Sequence, residues 1–306
     1  MKSFSEQEGK CSLYFNEFQP FWHLWTPENH PVFLPDRDSF MATMDILAIC
    51  ARMVPEVRIL TFQLMTNHLH LTSSGSGDLL LRLLRLFIRY LTKYLKARGL
   101  VVGLSFGEVD PRPLGSLQDL RNVIAYNNRN GYVVSPDYTP FTYPWGANSY
   151  YFNYPAKARY KESGNILTRD GRRRLIHSHD ADTVPTIVTV DGYACPMDFC
   201  DIGLGESVFR CASHYFREVS RNIESQKKIA QEIGESVFYT DDELFGVLLS
   251  LCQEKFGGQK PTMLPASAKQ EMAMLLHNEF NAGNKQIQRM LRLDASIVSA
   301  WFPQRY

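Results

Sequence analysis

The chain has no run approaching the ~18 uncharged apolar residues that a membrane helix needs, so nothing in it reads as a span. It has little net charge: 33 Lys and Arg stand against 32 Asp and Glu, leaving +1. Overall charge therefore does not announce a nucleic-acid binder, and local distribution has to be read instead. Cysteines are few and scattered, six in 306 residues, at 11, 50, 195, 200, 211 and 252. Cys195 and Cys200 have four residues between them, not the two of a zinc ribbon, so neither a disulfide framework nor a zinc module follows. The start, Met1 to Lys10, is polar and lacks the apolar centre of a signal peptide. A reduced, cytoplasmic protein is the expectation.

What is there centres on Phe62-Gln63-Leu64-Met65-Thr66-Asn67-His68-Leu69-His70-Leu71-Thr72. On a strand, side chains alternate faces, so His68 and His70 share one face, roughly 7 Å apart at Cα, and Leu69 points into a core. Two imidazoles so placed suit one metal ion if a third ligand comes from another element.

Around this motif the pattern predicts Phe21 to Thr26 as a first strand, then a helix from Arg37 to Met53 stopped by Pro55. Strands at 57–64 and 68–73 follow, with Thr66-Asn67 at or near a turn. A long helix, Leu79 to Ala97, starts from Asp78 as its cap and ends at Gly99. It carries Arg82, Arg85, Arg89, Lys93 and Lys96 at spacings of three, four, four and three, one cationic stripe with no acid in it. A phosphate-tracking face competes here with an ordinary solvated one. A fourth strand is expected at 100–106, a loop at 110–113, and a helix opened by Ser116 through Tyr126 to Asn130-Gly131. That order predicts an α+β fold, a ferredoxin-like antiparallel sheet with helices on one face. A mainly helical C-terminal region follows it. The domains expected are 1–152, a connecting and helical region 153–255, and a helix-turn-helix-like unit 256–306. A second His-x-His, His177 and His179, sits in a charged segment and reads as surface.

Tyr126 and Asn130 are four apart and share a helix face, and Trp145 lies nineteen residues beyond Tyr126. Met65-Thr66-Asn67-His68-Leu69-His70-Leu71, with Tyr126, Asn130 and Tyr143-Pro144-Trp145, resembles the single-tyrosine HUH transposases, most of all the REP-associated tyrosine transposase branch. The resemblance covers roughly residues 20–152. Gly131 stands where that family has proline, and Gly146-Ala147 where it has two serines. The resemblance implies Tyr126 as nucleophile, His68, His70 and Asn130 as ligands of Mg²⁺ or Mn²⁺, and single-stranded or hairpin DNA as partner. Arg82, Arg85, Arg89 and Lys93 are the candidate backbone contacts, and a homodimer stays open. The expected activity is metal-dependent nicking and strand transfer through a 5′-phosphotyrosine, in transposition or processing of repeated hairpins. A hairpin-binding regulator without cleavage, and an unrelated metallohydrolase using His68, His70 and Glu108, are the other readings.

Overall fold

A computed structural model describes residues 4–28, 31–100, 109–133, 138, 142–221, 229 and 239–303. The chain divides into two units, 1–219 and 220–306. No helix among the described residues is long and apolar enough to cross a membrane.

The first unit is built on four strands, β1 (Phe21–Trp25), β2 (Arg58–Leu64), β3 (Leu69–Ser74) and β4 (Arg112–Pro113), in the order β2-β3-β1-β4. Every neighbouring pair is antiparallel. β2 and β3 form a hairpin whose turn is closed by the Met65 N–H donating to the His68 carbonyl, 2.9 Å. β4 occupies 112–113, where the sequence suggests loop; the strand expected at 100–106 falls almost wholly outside the described residues.

Between β1 and β2 runs α2 (Arg37–Met53), and between β3 and β4 runs α3 (Gly77–Ala97); α1 (Phe4–Glu17) precedes β1, where the sequence pattern predicts no element. Asp36 caps α2 by accepting from the Ser39 N–H at 2.8 Å, and Ser39 answers with its hydroxyl, a reciprocal capping box. α3 begins after Ser76 instead of Asp78, and Gly77 packs closely on Trp22, where a Cβ would lie 3.2 Å from the ring.

Register assigns the two faces of the sheet. His23 opposes Thr72 and Trp25 opposes His70, while Gln63 opposes His70 from β2, so His23, Gln63, His70 and Thr72 share one face. Trp22, Leu24, Phe62, Leu69 and Leu71 form the other, apolar face. α2 and α3 pack together on that apolar side. α4 (Leu117–Val133) lies on the polar side, where Asn127 Nδ2 donates to Thr72 Oγ1 at 2.8 Å and Thr61 Oγ1 bonds Asn128 Oδ1. Helices thus cover both faces, not one: the row of polar side chains opposite the leucines needs hydrogen-bonding partners, and the amides of α4 supply them.

Residues 153–219 belong to this first unit, and 153–185, whose polar composition suggests an irregular connection, are structured. They hold α5 (Tyr154–Ser163), α6 (Arg169–Ile176) and a three-stranded sheet β5 (Asn165–Leu167), β6 (Ile187–Val190), β7 (Tyr193–Ala194). Short helices α7 (Pro196–Phe199) and α8 (Ile202–Ser207) and then α9 (Ala212–Arg221) complete it. The segment is tied to β2: the Asp201 N–H donates to the Ile59 carbonyl at 2.7 Å and Tyr151 Oη to the Leu60 carbonyl at 2.9 Å. Gly205 is the residue that fits above that tyrosine, since a Cβ would sit 2.0 Å from its hydroxyl.

The second unit packs α10 (Asp241–Phe256), α11 (Ala266–Phe280), α12 (Asn284–Leu291) and α13 (Ala295–Trp301) around Leu244, Leu248, Met272, Leu276, Ile287 and Val298. Thr240 and Glu243 form the capping box that starts α10, and Gly257 in the left-handed region ends it. α12 and α13 are joined through Arg292 to Asp294. The outward side of α13 carries Ser296, Ile297, Ser299 and Ala300, side chains with little to offer a base edge.

Candidate active site

Three imidazoles follow one another across β1 and β3. His68 and His70 meet edge to face with ring centroids 5.0 Å apart, and His70 lies beside His23 at 5.9 Å with the planes 15° apart. Tyr126 of α4 stands edge-on to His70, 5.7 Å between centroids and 83° between planes. The hairpin turn and the helix thus bring together three of the sequence-selected residues, His68, His70 and Tyr126. His68 closes the turn before β3 begins, so it is not itself on the strand. Asn130, the fourth, lies one helical turn past Tyr126, about 6 Å along the axis, and is half-buried.

The site is dry. Tyr126 is 1% exposed, His68 8%, and His23 and His70 are fully buried. Burial pushes the His68 imidazolium down to about 4. Burial also holds His70 well below the usual histidine range, helped by His68 and His23. Both imidazoles are therefore neutral at pH 7, the form that ligates metal.

Asn67 orients the first of them. His68 Nδ1 lies 2.8 Å from Asn67 Oδ1, and the Asn67 amide nitrogen donates to the Glu28 carbonyl. A carboxamide oxygen can only accept, so Nδ1 carries the proton and Nε2 keeps its lone pair outward. His23 is a member of the cluster that sequence pattern does not single out. Both its ring nitrogens, and Asn127 Oδ1, are buried with no hydrogen bond of standard geometry. Burial first, then the Arg112 charge, pushes His23 down to about 3, while Asn127, close but poorly aligned, acts in the other direction. Its only sign in the sequence is a histidine in phase with aromatic neighbours on a strand, which reads equally as core.

No three His, Cys, Asp or Glu side chains among the described residues are arranged to hold a metal ion. Glu108, the carboxylate of the metallohydrolase reading, lies outside the described residues.

The cations of α3 are not part of this constellation. α3 and α4 cover opposite faces of the sheet, putting their axes about 20 Å apart, two helix diameters. Arg82, Arg85 and Arg89 are exposed, whereas Lys93 is half-buried and donates to the His177 carbonyl at 3.3 Å. His177 and His179 are exposed, as expected. The chain matches no family model, no curated protein and no solved structure.

Proposed function

We propose that the chain nicks single-stranded DNA and rejoins it through a covalent tyrosine link, in transposition or in processing of repeated hairpins. The observation that carries this reading is the placement of Tyr126 edge-on to His70, one residue from the turn that sets His68. The connectivity β1-α2-β2-β3-α3-β4 in the order β2-β3-β1-β4 also supports it, because that is the ferredoxin-like arrangement.

In this reading the Tyr126 phenol loses its proton and Oη attacks the scissile phosphorus. A P–O bond to the tyrosine forms while the bond to the 3′ oxygen breaks, and that oxygen takes up a proton to become a 3′-OH. The 5′-phosphotyrosine conserves the energy of the phosphodiester, so a 3′-OH from another end can reverse the step and join to it. His68, His70 and Asn130 would hold a divalent ion, Mg²⁺ or Mn²⁺, which when bound polarises the phosphate. Asn67 keeps His68 in the tautomer that ligation requires, and the apolar layer behind Leu69 and Leu71 keeps the strand that carries His70 fixed.

The test is incubation with labelled single-stranded hairpin oligonucleotides and Mn²⁺, resolved on a denaturing gel beside Tyr126→Phe. A slow covalent band that disappears in the variant is the expected result, and a band that survives it means another nucleophile. The near-complete burial of Tyr126 favours a second reading, a hairpin-binding regulator that keeps the fold without cutting. Binding with no covalent band across metals and flanking sequences would establish that one.

A further inference from the structure

We propose that a cleft of about 480 Å³ between α3 and residues 179–184 binds the phosphodiester backbone of a nucleic acid, on the sheet face opposite Tyr126. Its lining includes Arg52, Arg82, Arg89, Tyr90, His179 and Asp180. Arg82 and Arg89 are seven apart on one helix face, both exposed, and neither forms an ion pair with a described carboxylate. Arg52 is already fixed by Asp198, its guanidinium 3.0 Å from the carboxylate.

Asp180 is the one acid in the lining, and it is engaged. It accepts from Tyr90 Oη at 2.7 Å, and that bond above all holds its carboxyl below the usual range. Its role is to fasten the loop to the helix, a job shared by Lys93 at the His177 carbonyl. The exposed guanidinia of Arg82 and Arg89, the Asp198-paired Arg52 and an exposed imidazole therefore line a hollow that holds one carboxylate, Asp180, itself exposed and with one oxygen engaged by the Tyr90 phenol. Such a surface takes an anion bearing several charges.

The stripe favours a linear polyanion over an isolated phosphate. Arg82, Arg85, Arg89 and Lys93 extend it along α3 for about 16 Å at the helical rise, longer than one phosphate group can fill. Choosing nucleic acid among polyanions rests on the reading above. Because α4 lies across the sheet, the length of DNA held here differs from the length presented to Tyr126. Residues 179–184 also lie outside the stretch that resembles the transposases, so the cleft is built from parts that the resemblance does not supply.

The test is fluorescence anisotropy of the full chain with a labelled DNA hairpin in EDTA, between about 50 and 200 mM salt. The proteins compared are the wild type, Arg82→Gln/Arg89→Gln and, as further variants, Arg89→Gln and Arg89→Glu. The double variant should bind about tenfold more weakly at low salt, with the slope of log affinity against log salt shallower by about two. Arg89→Glu should weaken binding further than Gln at the same position. Unchanged affinity and slope in folded variants would overturn the proposal. So would displacement of the hairpin by pyrophosphate at equal concentration, which would make this a small-phosphate site. The titration is repeated in Tyr126→Phe, so that loss of the nicking reading leaves the outcome for the cleft intact.

Discussion

The ring of Tyr126 presents its edge to His70, with 5.7 Å between centroids and 83° between planes, and both side chains are sealed from solvent. One chain supplies both residues, and α4 is fastened beside them by Asn127 to Thr72 and Asn128 to Thr61. Asn128 Nδ2 also donates to Tyr215 Oη at 2.9 Å, a second tie on the same carboxamide. Held in this way, the proposed nucleophile would serve the histidines of its own chain.

Mixing therefore provides a test of action in cis. Tyr126→Phe chains mixed with His70→Ala chains should form no covalent DNA adduct, although either reconstituted with wild type leaves the wild-type band. Recovery of the adduct in the mixture would mean that the tyrosine acts across subunits.

The contact between Asn67 and His68 makes a separate prediction. Asn67→Ala removes the acceptor that fixes the Nδ1–H tautomer, and Mn²⁺ affinity measured by calorimetry should fall about 10–100-fold. Asn67→Asp keeps an acceptor oxygen and should retain most of the affinity, even though it loses the bond to the Glu28 carbonyl. Equal losses in the two variants would assign Asn67 to turn stability alone.

Asp45 sets a pH dependence away from the site. Burial in α2 pushes its carboxyl up to about 7, only partly offset by the Ala194 N–H that donates to it at 2.6 Å. With the folded value above the unfolded one, its proton stabilises the fold fully below about pH 4. That contribution is lost as pH rises through 7. Asp45→Asn keeps an acceptor for Ala194 and removes the buried charge. It should therefore raise stability at pH 8 by about 1–3 kcal/mol, below the ~4 kcal/mol ceiling of a three-unit shift, and change little at pH 4. Thermal melts at the two pH values decide it, and an equal gain at both would count against the buried charge.

Much of the first unit is legible in the sequence because its signals are local. The extent of α2 follows from its helical apolar period and from Pro55, and the β2–β3 turn from Thr66-Asn67 between two apolar runs. The pairing of His68 and His70 is local too, His68 closing the turn and His70 following two positions on in β3. What the sequence conceals depends on distant partners. Two-residue β4 exists only because Trp22 and His23 offer it a ladder. The position of α4 on the second face is set by Thr61 and Thr72, far away in the chain. Nothing near His23 in the sequence signals that it lies beside His70, because strand register is a long-range property. The polar composition of 153–185 suggests an irregular connection, yet Arg172 is buried there, donating to the Leu167, Ala181 and Val184 carbonyls. A polar residue that satisfies backbone carbonyls is structural, and composition alone does not distinguish it from a solvated one.

The ties between β2 and the chain beyond it also bear on how this protein behaves in a crowded solution. β2 is the last strand of its sheet, and an outer strand is where one molecule recruits the next into aggregates. Here that margin is occupied. Leu64 donates to the Trp145 carbonyl, Ala147 to Phe62 and Asp201 to Ile59, and a side chain at Gly146 would collide with the Phe62 carbonyl at 2.9 Å. Residues 145–147 and 200–201 act as a built-in hem, so cutting the chain at residue 152, where the sequence places a boundary, would undo half of it. Such a fragment would expose a raw seam for self-association before it revealed anything about catalysis.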